Sequence, residues 1–588
     1  MGYLPTDPAN FASEAIDGFA AAYPRHVRRI DGGVMRLAPI PSGQVGVVVG
    51  GGSGHYPAFA GLVGRGLAAG AVCGNIFASP SAGQVVRVGS AVERGAGLLL
   101  TFGNYAGDVL HFTLGAERLR RQGIDVRIVT VTDDIASAPI DQQELRRGIA
   151  GGLAVYKVAG AAAEAGLPLD EVERLARKAN GRTRSLGVAF SGCTLPGADQ
   201  PLFEVPSGRM AIGMGLHGEP GLSEGPLTEA GPLAALLVER LLAERPADVP
   251  EDQQRLVVLL NGLGCFKYEE LFVLFGAVNR ELQGRGVVMA DCECGELVTS
   301  LDMAGVSLSF FWLDGELEGF WNAAADSAAY RRGQLAAESD GPQPLATQRP
   351  EPELPSGPPT QTAAPLTPVQ QALLARFKAV EEELQERVEE LGGLDAVAGD
   401  GDHGLGMLRG IRGARESAIG ACGRGCGPGE VLMEAGEAWS DHGGGTSGAL
   451  WGGALLAAGQ SLAQATEIGP NDVAAAFGAA LQAVIDLGQA APGDKTMLDA
   501  LQPFCLRLRA DLDAGLDLAQ ALQNAANTSL EAATATADLL PQRGRARPHG
   551  QRSLGHPDPG AMSMAYCLLA ASAGYVGLHG VADPAQAS

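Results

Sequence analysis

Basic residues are scarce in this sequence. Its 588 residues carry 43 Lys and Arg against 67 Asp and Glu, a formal net charge of −24, and no cluster of five or more basic residues interrupts that balance. Phosphate backbones repel such a chain, which excludes general nucleic-acid binding. Cysteine is sparse as well: there are nine, an odd number, and only Cys292/Cys294 and Cys422/Cys426 lie close together, neither with a matching second pair. A structural zinc needs four well-spaced ligands, so the spacing speaks against one and for reduced thiols in a cytoplasmic protein. Long apolar runs are missing but for one. Residues 561–578 are uncharged and long enough to cross a bilayer, yet they are rich in Ala, Ser and Gly and follow the turn His556-Pro557-Asp558-Pro559-Gly560. They read as a buried helix, and no membrane partner is expected. The first residues, Met1-Gly2-Tyr3-Leu4-Pro5-Thr6, have neither the basic region nor the apolar core of a signal peptide and match a myristoylation pattern only in form.

Glycine is abundant, with 84 residues, about twice the usual ~7% share, and it has no collagen-like period. Such an excess suggests tight turns and backbone that approaches ligands closely. A hydrophobic content of 46% is ample for packed cores and excludes a wholly disordered chain, and the length calls for more than one domain. The boundary lies where the sequence reads ESDGPQPLATQRPEPELPSGPPTQTAAPLTP, a Pro- and Gln-rich stretch that cannot bury enough surface to order itself. We place a first domain at 1–337, a linker at 338–366 and a second domain at 367–588. Before the linker, apolar β-branched runs at 45–49, 97–102, 126–132 and 256–260 alternate with helical stretches such as 142–165, which argues for an α/β domain. After it, Leu373, Phe377, Val380, Leu384, Val388 and Leu391 recur at helical spacing, strand signals nearly vanish, and Ala/Leu runs are broken by Gly-rich loops. The second domain reads as all-α.

Three polar segments of the first half lie in loop contexts. Val45-Gly46-Val47-Val48-Val49 runs into Gly50-Gly51-Gly52-Ser53-Gly54-His55, a strand opening into a glycine loop at the sheet edge where α/β proteins bind ligands. Its spacing is not the dinucleotide fingerprint. Asn104-Tyr105-Ala106-Gly107-Asp108 follows another apolar run, and Gly215-Leu216-His217-Gly218-Glu219-Pro220-Gly221 sets a histidine among glycines. In the second half Asp395, Asp400 and Asp402 lie within eight residues, and carboxylates crowded on a Gly-rich loop suit Mg²⁺ shared with phosphate oxygens. The segment Gly443-Gly444-Gly445-Thr446-Ser447-Gly448 opens a helix whose free N–H groups suit a phosphate. Each feature alone also fits a plainer role: a structural turn, a satisfied turn histidine, a helix N-cap at Asp108, or solvated surface acids.

Taken together, GGGSGH, GNYAGD, IGMGLHGEPG and TSLDMAGVSLS resemble the substrate domain of the dihydroxyacetone kinase family over roughly 10–335. GDGDHG, GGGTSG, GDKTM and HPDPG resemble its nucleotide domain over roughly 367–582. The resemblance implies two α/β subdomains followed by an antiparallel helical barrel. It implies a ketose held covalently as a hemiaminal on His217, an acid–base pair in Asp108 and His55, and a ketose site lined by Gly52, Ser53 and Gly54. It further implies Mg²⁺, two ions, on Asp395, Asp400 and Asp402. Nucleotide contacts would come from Asp402, His403, Gly404, Leu405, Thr446, Ser447, Gly488, Thr496, Met497, Asp558, Pro559 and Gly560. Both domains in one chain imply ATP as donor, and the family favours a homodimer, with the nucleotide domain acting in cis or on the partner chain. Members specific for dihydroxyacetone read GGGSGHEPAH and KNYTGD, whereas here Tyr56, Phe59 and Gly103 replace Glu, His and Lys. Loss of the Lys would vacate room beside the ketose, and GHYPAF and GNYAGD resemble the erythrulose-kinase branch. The expected reaction is D-erythrulose 4-phosphorylation, with dihydroxyacetone phosphorylation and an FAD-AMP lyase side activity as alternatives.

Overall fold

A computed structural model describes residues 4, 7–8, 10–198, 200–251, 254–333, 366–399, 401–463, 468–542 and 550–573. The expected linker at 338–366 lies outside these but for Leu366, as does Asp400.

The first half is α/β. One six-stranded sheet runs in the order Val27–Ile30, Gly33–Arg36, Gly70–Ile76, Gly46–Ser53, Leu98–Gly103, Val126–Val131. Its last four strands are parallel. Both faces of these strands are therefore covered, and the apolar runs seen in the sequence are continuous rather than alternating. A second six-stranded sheet runs in the order Ser223–Pro226, Arg209–Ile212, Thr183–Ala189, Gly305–Trp312, Arg255–Gly262, Val288–Gly295, and it is antiparallel except at its last pair.

The two sheets share a middle layer. Leu153, Val155 and Val158 of helix Gly152–Glu164, with Val172 and Leu175 of helix Leu169–Gly181, pack in one core with Val47, Leu99 and Val129 of the first sheet and Val257, Leu259 and Phe311 of the second. Outside the first sheet, Val48, Leu98, Leu100 and Phe102 meet helices Ala82–Val92 and Ala106–Arg121. Outside the second, Leu256, Val258, Phe310 and Trp312 meet helices Ala230–Ala243 and Tyr268–Gly284.

Two local expectations are corrected. The helix expected at 142–165 begins only at Gly152, because Asp133 accepts the N–H groups of Ile149 and Gly151 and holds 146–151 as a loop. The glycines after Val49 do not open a loop; the strand continues to Ser53. There the missing side chains admit neighbours: a Cβ on Gly51 would lie 2.5 Å from the Phe59 ring.

The second half is helical. Thr367 caps helix Pro368–Glu386 through its side chain, reciprocated by Gln370, with Pro368 in the first turn. The helix predicted through Leu391 breaks at Arg387 and resumes as Val388–Ala396. Neighbouring helices then run Pro368–Glu386, His403–Gly423, Pro428–Gly443, Gly445–Leu462, Pro470–Gly488, Leu498–Asp513, Leu518–Ala535 and Pro559–Ser572, and the last packs back on the first, closing a ring. Ala561, Met562, Met564 and Ala565 of the closing helix join Leu384, Ile411, Trp439 and Phe504 in its core. No described helix is long and apolar enough to cross a membrane. The turn at 443–446 rests on the first half: Gly445 N–H donates to Ser79 O at 3.3 Å, and Asp441 pairs with Arg87 at 3.0 Å and accepts from Ser81 Oγ.

Candidate active site

Loops at strand ends of both sheets meet between them. His55 follows Gly46–Ser53 of the first sheet, and His217 follows Arg209–Ile212 of the second. Their Nε2 atoms are 3.0 Å apart. His55 Nδ1 lies 2.8 Å from Thr299 O, a carbonyl that only accepts, so Nδ1 carries a proton and Nε2 a lone pair. His217 Nδ1 lies 3.0 Å from Glu219 Oε1 and donates to it. Each ring has thus committed its Nδ1, and one proton between the two Nε2 atoms satisfies both. Burial, and then the charge of His217, push His55 down to about 3, so the buried His55 Nε2 is left as an acceptor.

Glu219 folds back on His217 because Gly215 leaves room. A Cβ there would lie 2.1 Å from Glu219 Oε2 and 2.7 Å from Arg147 Nη1. The carboxylate also accepts the His217 backbone N–H at 2.9 Å and faces Arg147 at 3.7 Å, and Arg147 in turn pairs with Asp134 at 3.0 Å. Burial would raise the Glu219 carboxyl, but the His217 ring and the Arg147 guanidinium outweigh it and hold the group well below the usual carboxylate range. Phe77, at φ 53°, stacks on His55 at 5.0 Å and meets His217 edge-on at 4.9 Å; Tyr105 closes the other side at 5.1 Å.

Asp108 is buried in the first turn of helix Ala106–Arg121, whose N-cap is Tyr105, so it is not the N-cap itself. Gly52, Ser53 and Gly54 lead directly into His55; the Ser53 hydroxyl donates to Gly74 O at 2.6 Å, and the Gly54 carbonyl accepts from Leu301 N at 3.0 Å. The three departures fall in different places. Tyr56 is half exposed and turned toward Phe19, 5.9 Å away, not toward His217. Phe59 packs against Gly51. Only Gly103 borders the site, and the room it leaves is taken: a Cβ there would lie 3.0 Å from the Tyr105 ring.

On the helical side, helices His403–Gly423 and Pro559–Ser572 begin together, with His403 Nε2 and Ser563 Oγ at 2.9 Å. Asp402 and Asp558 stand at their N-caps, and a Cβ on Gly560 would lie 3.5 Å from Met497 N. Thr496 N–H donates to Asp499 at 2.8 Å. Thr446 and Ser447 form the first turn of Gly445–Leu462, while Gly488 ends the neighbouring helix and Leu405 is exposed. Burial, and then Asp395, push the Asp402 carboxyl up, with Arg409 the cation opposing this. Burial likewise lifts Asp558 to about 7, with Asp499 and Asp395 adding to it. Among the described residues no three such side chains converge closely enough to hold a metal. The Asp395–Asp402 pair nevertheless has the donor chemistry of a hard-cation site, two carboxylates in mutual repulsion, one in the last turn of Val388–Ala396 and one at the N-cap of His403–Gly423.

Sequence reasoning missed Glu219, Arg147, Asp134 and Arg409. Glu219 had a signal, an acid two residues beyond a histidine set among glycines. Arg147, seventy positions from His217, had none.

The Dak1 domain matches residues 17–329, and the DAK2 domain matches residues 397–573. The chain is 50% identical to the L-erythrulose kinase of Pectobacterium atrosepticum over 97% of this chain and 96% of that one. It is 51% identical to the D-erythrulose kinase of Mycolicibacterium smegmatis over 96% and 97%. Among solved structures it resembles the dihydroxyacetone kinase from C. freundii in complex with AMP-PNP and Mg²⁺, with a TM-score of 0.52 and 31% identity over 97% of this chain and 99% of that one. The chain belongs to the dihydroxyacetone kinase family and is a sugar kinase of its single-chain form.

Proposed function

We propose that the chain transfers a phosphoryl group from ATP to the terminal hydroxyl of erythrulose held covalently on His217. The observation that carries this is the His217 ring itself, with a carboxylate on Nδ1 and a buried, proton-accepting histidine at Nε2. When the ketose carbonyl enters, the proton shared by the two Nε2 atoms moves to His55, and the freed His217 lone pair adds to the carbonyl carbon. His55 returns that proton to the developing alkoxide, giving a hemiaminal whose positive ring Glu219 offsets. A polyol such as glycerol has no carbonyl and cannot be held this way. Asp108, helped by His55, then takes the proton of the terminal hydroxyl as its oxygen attacks the γ-phosphorus; the bridging P–O bond breaks and ADP leaves.

On the nucleotide side we assign Asp395, Asp400 and Asp402 to two Mg²⁺ ions, which supply charge neutralisation at the phosphates. Thr446 and Ser447 present helix N–H groups to the phosphates. His403, Gly404, Leu405, Gly488, Thr496, Met497, Asp558, Pro559 and Gly560 line the nucleotide. The closed ring of helices supports reading this half as an antiparallel barrel, and the two sheets support two α/β subdomains, with domains at 1–337 and 367–588. A cytoplasmic homodimer completes the reading. The dimer is supported by the edge strand Val288–Gly295 and by exposed Tyr268, Phe272 and Val273 on the helix that precedes it, a face suited to a second copy.

Relatives named for D- and L-erythrulose lie at nearly equal identity, and D-erythrulose 4-phosphorylation remains our reading. Coupled ADP release with Mg·ATP against D-erythrulose, L-erythrulose, dihydroxyacetone and glycerol tests it. Highest kcat/KM on D-erythrulose is expected; preference for dihydroxyacetone sinks the tetrose assignment, and ADP release with glycerol alone sinks the hemiaminal.

A further inference from the structure

The site has two halves, and something must hold them in register. Helix Ala106–Arg121 carries Asp108 in its first turn and His111 one turn later, and both are buried. His111 Nε2 lies 2.7 Å from the carbonyl oxygen of Gly445, the residue that opens the helix bearing Thr446 and Ser447. The N–H of that same residue donates to Ser79 O, so both backbone groups of Gly445 are held by the ketose half. Gly444 and Gly445 sit at φ +63° and +56°, the left-handed region that lets the turn reach this far. The two helix starts are close: a Cβ on Gly107 would lie 2.5 Å from Ser79 Oγ and 3.5 Å from Thr446 Oγ1.

We propose that His111 is a positioning residue for phosphoryl transfer, its Nε2–H clasping the Gly445 carbonyl so that the phosphate-binding turn is seated against the helix that carries Asp108. A carbonyl only accepts, so His111 carries its proton on Nε2 and a lone pair on Nδ1, and that lone pair is buried without a hydrogen-bond partner. Leaving it so has a desolvation cost that a Leu or Phe of similar bulk would not have. What the imidazole alone supplies is the donor to Gly445. Burial keeps the ring below the usual imidazole range, opposed by Asp441, so the neutral Nε2–H form is the one that docks. Arg87 and Ser81 also tie Asp441 across this contact, the Arg87 ion pair screened by water, and Gly445 N–H donates to Ser79 O; of these bonds, the one from His111 is that by which a side chain of the Asp108 helix holds the turn itself.

This inference rests on the proposed ketose kinase reading. The experiment compares wild type with His111→Phe, His111→Asn and His111→Gln in the full chain. Three readouts are taken: the intact-mass shift of ketose on His217, AMP-PNP affinity, and kcat with saturating erythrulose. His111→Phe should keep adduct and nucleotide affinity while kcat falls about 10- to 100-fold, the range expected for misplacing reacting groups by up to an ångström. Gln, whose amide nitrogen reaches as far as Nε2, should restore most of kcat; Asn, which is shorter, should not. An unchanged kcat in His111→Phe, equal losses in the Phe and Gln variants, or loss of adduct or AMP-PNP binding along with kcat would each overturn the positioning role. Wild-type enzyme that forms no adduct and phosphorylates no ketose would instead refute the function on which it rests.

Discussion

Replacing Glu219 by Gln changes one charge at the residue that carries the chemistry. The carboxylate makes two hydrogen bonds to His217, and only the one to Nδ1 strengthens when the ring becomes positive on forming the adduct. A hydrogen bond to a charged group contributes ~1.5–3 kcal/mol, so kcat/KM should fall about 10- to 150-fold. The amide still fills the space and Arg147 keeps its pair with Asp134, so the fold should persist. Stability gives a second, independent readout. The Glu219 carboxyl is held below its ordinary range, so it stabilises the fold above the unfolded carboxylate value, and that stability is lost as pH falls through the lower folded value. The variant should therefore be less stable at neutral pH, with a shallower acid-side dependence in urea unfolding. Intact-mass detection of the ketose adduct, with coupled ADP release, tests the first claim. Undiminished adduct yield and kcat/KM would refute the assignment of Glu219 as the group that offsets the positive His217 ring of the adduct.

Gly103→Lys would drive a side chain into the Tyr105 ring and shift it off His217; the erythrulose-to-dihydroxyacetone ratio of kcat/KM should drop by about tenfold or more, whereas Tyr56→Glu should leave it unchanged. Mixing two inactive proteins, His217→Ala and Asp402→Asn, should recover no turnover, because the phosphate-binding turn meets the ketose half of its own chain; recovered activity would show that the contact is made between chains. Burial, with the charge of His217, holds His55 at about 3 against the ordinary 6.5 of a histidine. Between these values the unfolded chain binds the extra proton, so stability falls as pH drops through that window. His55→Gln should flatten this slope in pH-dependent melting, and an unaltered slope would count against a buried neutral His55.

Much of the fold was legible because continuous Val/Leu runs of a buried parallel sheet and the helical spacing of Phe377, Val380 and Leu384 are local signals. The second sheet was harder to see. Thr183–Ala189 and Ser223–Pro226 are short and rich in polar residues or glycine, and tertiary packing overrides their weak propensity. In the site, residues within glycine motifs could be picked out one by one. What joins them could not, because the Asp134–Arg147–Glu219–His217 chain spans three segments and exists only once the loops are placed. Tyr56 shows the same limit: proximity in sequence to His55 says nothing about which way the ring turns.

The shared middle layer of the ketose half has a mechanical consequence. His55 belongs to one sheet and His217 to the other, and between those sheets lies a helix, Gly152–Glu164, buried along nearly its whole length. Close-packed interiors are stiff, so the strand ends from which the two histidine loops spring keep a separation set by that layer. The ketose half behaves as a firm jaw, and within it the 3.0 Å contact between nitrogens is what an entering ketose parts. The ring of helices is the other jaw, and it brings its glycine turn up to the anvil.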